Sequence, residues 1–381
     1  MKKIFFISIS FFAVTLLFLG VYNFAFRSNP SNPTVDAKKQ IDAKQATDQL
    51  FADNSKVAAV SPITDVPAYG ATILDNSHIA YFNDRSLKRA SLGGGGEETI
   101  IKNLPGKTLR AVWSPDKTKA LVLFGTDSGE RWFFLTLSDA SVKPLPAAIT
   151  SPVWSNLSER IFYLYSDASQ KKIELDSAKP DGSDWKILAP VTIQNAFLAT
   201  TPSSALLSYW NKPSAFDETA LYTVPLSGGE TKKIFAGKFG ADYSWSPDGT
   251  KILISNTLSK GGTDTRLGIA NQDGGEFRTL QAPTLVSKTV WSKDNKTIYY
   301  ALPLSIPENS VLPNDYFSRP IHTQDSFWKM DVTTGKNDRL VDPSVIGGNY
   351  DSAGLFLDQN ENFLYFTDRT SGKLYRIKLG A

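Results

Sequence analysis

The side chains that most often run catalysis are scarce in this chain of 381 residues. It has no cysteine, which removes thiolate nucleophiles, disulfides and every Cys-ligated metal site, and its only imidazoles are His78 and His322. A serine hydrolase needs its nucleophile on a strained turn with a base beside it. No Gly-x-Ser-x-Gly occurs, and neither histidine stands in a triad context. His78 falls beside a predicted turn and reads as a solvated turn residue. Asp358-Gln359-Asn360-Glu361-Asn362 opens like a calcium loop, but Phe363 stands where that loop needs glycine. No metal and no cofactor is implied. What remains is carboxylate chemistry, in which one acid donates a proton while a second attacks or activates water.

A repeat positions these residues. Trp245-Ser246-Pro247-Asp248-Gly249-Thr250-Lys251-Ile252 has partial copies at Trp113-Ser114-Pro115-Asp116-Lys117, Trp154-Ser155-Asn156 and Trp291-Ser292-Lys293-Asp294-Asn295. Seven positions after each Trp an apolar residue opens the next strand: Ala120, Ile161, Ile252 and Ile298. The same offset recovers degenerate copies at Thr72, Thr200 and Phe356. The seven anchors step by 41 to 46 residues, with a last step of 65. A period in the forties made of short strands is that of propeller blades with four strands each. The turn chemistry agrees: Pro presets φ, Asp bonds nearby backbone and Gly accepts a positive φ. In the fifth copy the strands are predicted at 241–246, 251–256, 266–271 and 277–281. The glycine clusters 93–96 and 228–229 fall at third-to-fourth turns and lack the following helix that a phosphate cradle requires.

The predicted fold is therefore all-β, a seven-bladed β-propeller of four-stranded antiparallel blades, preceded by one N-terminal transmembrane helix. The repeats resemble those of the TolB-type, WD-repeat-like propellers over roughly residues 67–381. That resemblance implies the fold and little about function, since such repeats serve many unrelated proteins. Neither the α/β domain that precedes the propeller in TolB nor the hydrolase domain of prolyl oligopeptidase-type peptidases is expected within these residues, so the activities of those proteins are not expected either. The last copy offers strands near 354–357, 363–368 and 373–379, and no fourth. An unpaired third strand would leave a bare hydrogen-bonding edge. Lys56-Val57-Ala58-Ala59-Val60-Ser61 has strand-like composition, and 97–102 already fill the fourth place of blade one. Residues 56–61 are predicted to close blade seven.

The channel mouth is expected three residues before each anchor, at Tyr69, Arg110, Ser151, Phe197, Asp242, Lys288 and Ala353. One acid between two bases is a poor acid/base pair. It suits a small polar ligand, with Arg110 and Lys288 engaging an anion, or else a water-bridged lining. The anchor tryptophans read as inter-blade core. Second-to-third-strand loops are long in three successive copies, at 211–219, 256–265 and the insertion 303–324. Four prolines stiffen the insertion, which carries Tyr316, Phe317, Arg319 and His322 as binding-prone side chains. It lies outside the repeat and reads either as a dispensable binding loop or as padding.

The N-terminus sets the expected location. Residues 4–26 carry no charge; as a helix they span roughly 34 Å, enough for a hydrocarbon core of about 30 Å. Lys2 and Lys3 precede them, so residues 1–3 stay cytoplasmic and the remainder crosses. The apolar run is longer than a signal peptide needs and ends without a small-x-small site, favouring an uncleaved signal anchor. Residues 27–55 read as a polar tether and 56–381 as the propeller. The formal net charge of +3 resides in Lys2, Lys3 and Arg27, leaving a neutral body without the footprint of a nucleic-acid binder. The expected protein is a single-pass membrane protein with an extracytoplasmic propeller. It binds or scaffolds another protein or a cell-envelope glycan, without catalysis. The alternative is a propeller enzyme, a glycosidase or other hydrolase, acting at the channel mouth.

Overall fold

The computed structural model describes residues 60–167, 172–318 and 321–380. Within them seven four-stranded antiparallel sheets follow one another along the chain. Blade one, from its inner to its outer strand, is Tyr69–Ile73, His78–Asn83, Ser86–Ser91 and Glu98–Ile101. Blade seven runs Ser352–Leu357, Phe363–Asp368, Leu374–Lys378 and then Val60–Pro62. Both ends of the propeller thus meet in one sheet, with Val60 opposite Ile377, Ser61 opposite Arg376 and Pro62 opposite Tyr375. Of the expected closing strand, Val60 and Ser61 are in place, and 56–59 lie outside the described residues. So do the expected membrane segment 4–26, the tether 27–55 and Arg319. Among the described residues no helix is long and apolar enough to cross a membrane.

The period-two geometry of strands explains why the second strands are apolar on both faces. In His78–Asn83, Ile79 and Tyr81 join the core shared with blade seven, while Ala80 and Phe82 join the core shared with blade two. In Lys251–Thr257, Leu253 packs toward blade six, and Ile252 and Ile254 pack toward blade four. Every neighbouring pair of blades shares one such cluster, and the one between seven and one closes the ring.

The Trp-Ser-Pro-Asp-Gly turn stitches blades together. Ser246 Oγ donates to Asp248 at 2.6 Å and accepts from the Lys251 amide at 3.0 Å. The Asp248 amide then donates to Asn295 in the turn of the next blade, at 2.9 Å. Gly249 sits at φ +73, and a Cβ there would lie 2.1 Å from the Pro202 carbonyl oxygen, so the turn can press against blade four only as glycine. In blade seven Glu361, within the calcium-like run, accepts from the Ser292 hydroxyl and the Lys293 amide at 2.7 Å each, a clamp between turns rather than a metal ligand. The anchor indoles of Trp113 and Trp154 donate to Gly70 and Val112, each on the inner strand of the preceding blade.

Two anchors are displaced by one residue. Trp113, Trp154, Thr200, Trp245 and Trp291 pair across the sheet with the residue seven positions on. In blade one the turn is a residue shorter, Leu74 N–H bonding His78 O, so the last pair is Ile73 with Ile79. In blade seven the pair seven apart is Leu357 with Leu364. The true anchors are Ile73 and Leu357.

Candidate functional site

The displaced anchors correct the channel mouth. Three residues before Ile73 and Leu357 stand Gly70 and Gly354, not Tyr69 and Ala353. Both glycines have left-handed φ, +57 and +58, at bulges of the innermost strand, and Ser151 adopts the same conformation in blade three. Tyr69 instead packs against the core between blades one and two. Arg110 is exposed. Asp242 is buried, accepting from the Trp210 indole at 2.9 Å and from the Tyr243 amide at 3.0 Å, and burial pushes its carboxyl up to about 6. Lys288 is 0% exposed and not free to hold an anion. These positions supply no paired acid and base.

Lys288 is instead the centre of a closed network. Its Nζ lies 2.7 Å from Asp325 Oδ2, 3.0 Å from Asp351 Oδ1, 3.0 Å from Thr323 Oγ1 and 2.9 Å from the Ser352 carbonyl oxygen. Arg369 donates to the other Asp351 oxygen at 3.1 Å and lies 4.0 Å over the Tyr316 ring. Burial alone would push Lys288 down, but Tyr316, Asp325 and Asp351 outweigh it and hold its pKa above the ordinary lysine value. Burial would likewise raise Asp351, and Lys288 and then Arg369 hold it below the ordinary carboxylate range. The network welds blade six to blade seven.

Two of its members, Tyr316 and Thr323, come from the insertion, which is therefore built into the fold and is not a free loop. Its short helix Asn314–Ser318 buries Tyr316 against Leu285 and Leu312. Asn314 reaches further, accepting the Ala215 amide of the blade-four loop at 2.7 Å. The Ala215 carbonyl in turn accepts the Gly261 amide of the blade-five loop at 2.7 Å. The three long loops are one tied surface.

Of the expected insertion residues, Tyr316 is buried in this network and Phe317 is 38% exposed. His322, half exposed, lies 3.4 Å from Asp351 at the network's open edge. Further exposed side chains share the face: Phe216 and Leu258 in the tied loops, Leu304 at the root of the insertion, Leu109 at the entry to an inner strand and Val345 in the connection to blade seven. On the opposite, motif-turn face the exposed large hydrophobics among the described residues are Leu157 and, in the third-to-fourth turn of blade three, Trp185. The sequence marked these loops by length, but their apolar tips and the partners Asp325, Asp351 and Arg369 carried no motif.

No protein-family model and no curated protein matches the chain. Solved structures do. Oligogalacturonate lyase from Vibrio parahaemolyticus superposes with a TM-score of 0.57 at 12% identity, covering 85% of this chain and 96% of that one. The β-propeller domain of the Trilobed protease from Pyrococcus furiosus gives 0.54 at 14%, covering 86% and 97%. TolB from Acinetobacter baumannii gives 0.47 at 15%, covering 74% of this chain and 62% of TolB, so the chain spans less than two thirds of that relative. At such identities the first two likenesses establish the propeller fold and nothing beyond it.

Proposed function

We propose that the chain is a binding protein whose loop face docks another protein, without catalysis. One observation carries this reading: the loops of blades four, five and six are hydrogen-bonded into a single rigid surface that presents Phe216, Leu258 and Phe317 to solvent. Exposed apolar side chains gathered on one face mark interaction sites, and preordered loops lower the entropy lost on binding. The uncharged run 4–26 with Lys2 and Lys3 ahead of it supports a further step, that residues 4–26 anchor the propeller outside the membrane.

Photo-crosslinking in cells tests the docking face. A benzoyl-phenylalanine at position 216 or 317 is expected to give one discrete protein adduct, and one at position 157 on the opposite face none. Equal adducts from both faces, or none from the loop face, overturn the reading. Hydrolase turnover by the full-length chain, abolished by Asp242→Ala, would replace binding with catalysis. A reporter active only outside the cytoplasm, fused after Ala381, tests the orientation; activity of a cytoplasm-only reporter there refutes it.

A further inference from the structure

Blade three holds a feature that the loop face and the blade contacts leave unused. On its side facing blade two, a cleft of about 530 Å³ opens between the rings of Tyr163, Tyr165 and Trp185, with Ile149 and Ile187 beside them. Trp185 is 50% exposed and Ile187 46%, a bare apolar strip at the outermost strand, Lys186–Pro190. Asp176 lies beneath. It stands directly opposite Tyr163 in one strand pair and Ile187 in the other, so its side chain projects on their face of the sheet. It is 0% exposed; one carboxylate oxygen accepts the Trp185 indole N–H at 2.7 Å, and the other has no partner among the described residues. A buried oxygen left without a donor is costly and calls for compensation.

The charges around it are otherwise settled. Glu174, in the lining, is paired with Lys172 at 2.8 Å, which leaves Asp176, beneath the lining residues, as the uncompensated carboxylate here among the described residues. Burial pushes its pKa up to about 6, so it is ionised at neutral pH. We propose that the cleft binds a small organic cation, an alkyl or quaternary ammonium. The cation sits on the exposed face of Trp185, with Tyr163 and Tyr165 as side walls and Asp176 as the buried counter-charge. Aromatic faces attract cations, most strongly when desolvated. An indole that donates its N–H to a carboxylate carries more electron density on its face, and a charge in a low-dielectric floor is poorly screened. A sugar would need several free donors and acceptors, but Lys172 and Glu174 satisfy one another. An anion would meet net negative charge.

Calorimetric titration of the full-length chain tests this, using choline, n-butylammonium and 3,3-dimethylbutanol, the neutral isostere of choline. Both cations are expected to bind, the neutral isostere at least tenfold more weakly, and choline affinity should fall as pH drops through about 6. Trp185→Ala should weaken choline binding at least tenfold. Asp176→Asn keeps the shape and the Trp185 bond and should weaken it at least threefold. Absence of heat with both cations, equal binding of the neutral isostere, or unchanged affinity in either variant at an unchanged fold overturns the proposal.

Discussion

Asp351, between blades six and seven, and Asp176, at the rim of blade three, are equally deep, at 1% and 0% exposure. Their pKa values nevertheless move in opposite directions. Burial pushes both upward. Around Asp351, Lys288, Arg369 and Thr323 return more than burial takes. Around Asp176 a single indole N–H does not. Depth therefore does not decide whether a buried carboxylate is comfortable; the number and charge of its partners do. The closed cluster is a clamp. The open one leaves room for something to arrive.

The clamp breaks most visibly at its centre. Lys288→Met leaves buried Asp325 without its cation and Asp351 with Arg369 alone, and loss of one partner from a buried ion pair costs about 3–5 kcal/mol. Chemical denaturation of the full-length chain should register that loss. A change below about 1 kcal/mol would mean that water already screens the junction.

Replacing residues 306–323 by a Gly/Ser linker removes Tyr316 and Thr323 from the same cluster and uncovers Leu285. About 2–4 kcal/mol of stability should go with them. The sequence pointed the other way, because the insertion falls outside the repeat and looked dispensable. The repeat itself was legible: the seven-residue offset read from the Trp-Ser-Pro-Asp-Gly turn placed five of the seven anchors to the residue, and the missing fourth strand of blade seven directed attention to the residues before blade one. What failed had physical reasons. A turn one residue shorter hid Ile73, and no Trp marked Leu357. The partners of Lys288 lie 35 to 64 residues away, so no local pattern could join them. Glu174 and Asp176 alternate in a strand just as solvated acids do, and only the cross-strand tyrosines distinguish them.

At the open cluster the sign reverses. Asp176 has a folded pKa of about 6, above its unfolded value of about 3.9, so ionisation opposes folding. Its contribution is fully favourable below pH ~4, declines through pH ~6 and stays lost above. Asp351, with a lowered pKa, behaves oppositely and loses its contribution as pH falls through its folded value. Asp176→Asn should therefore stabilise the ligand-free protein at pH 7, by about 1–3 kcal/mol, and leave it unchanged at pH 4. Equal stability of the two proteins at both pH values would mean that the carboxylate carries no strain and that the comparison with Asp351 fails.

The smallest expected effect lies where the clamp meets solvent. His322 stands 3.4 Å from Asp351 with a side chain 51% exposed, so any ion pair there is formed half in water. Such pairs contribute about 0.5 kcal/mol or less, and salt screens them further. His322→Gln should leave the denaturation midpoint almost unchanged, even though it touches the same carboxylate as Lys288. If it costs as much as Lys288→Met, the cluster's energy resides in its charges wherever they stand, and burial is not what separates a clamp from a surface contact. If it costs little but lowers the yield of the adduct formed from position 317, His322 belongs to the docking face and the clamp's outer edge doubles as the rim of that face.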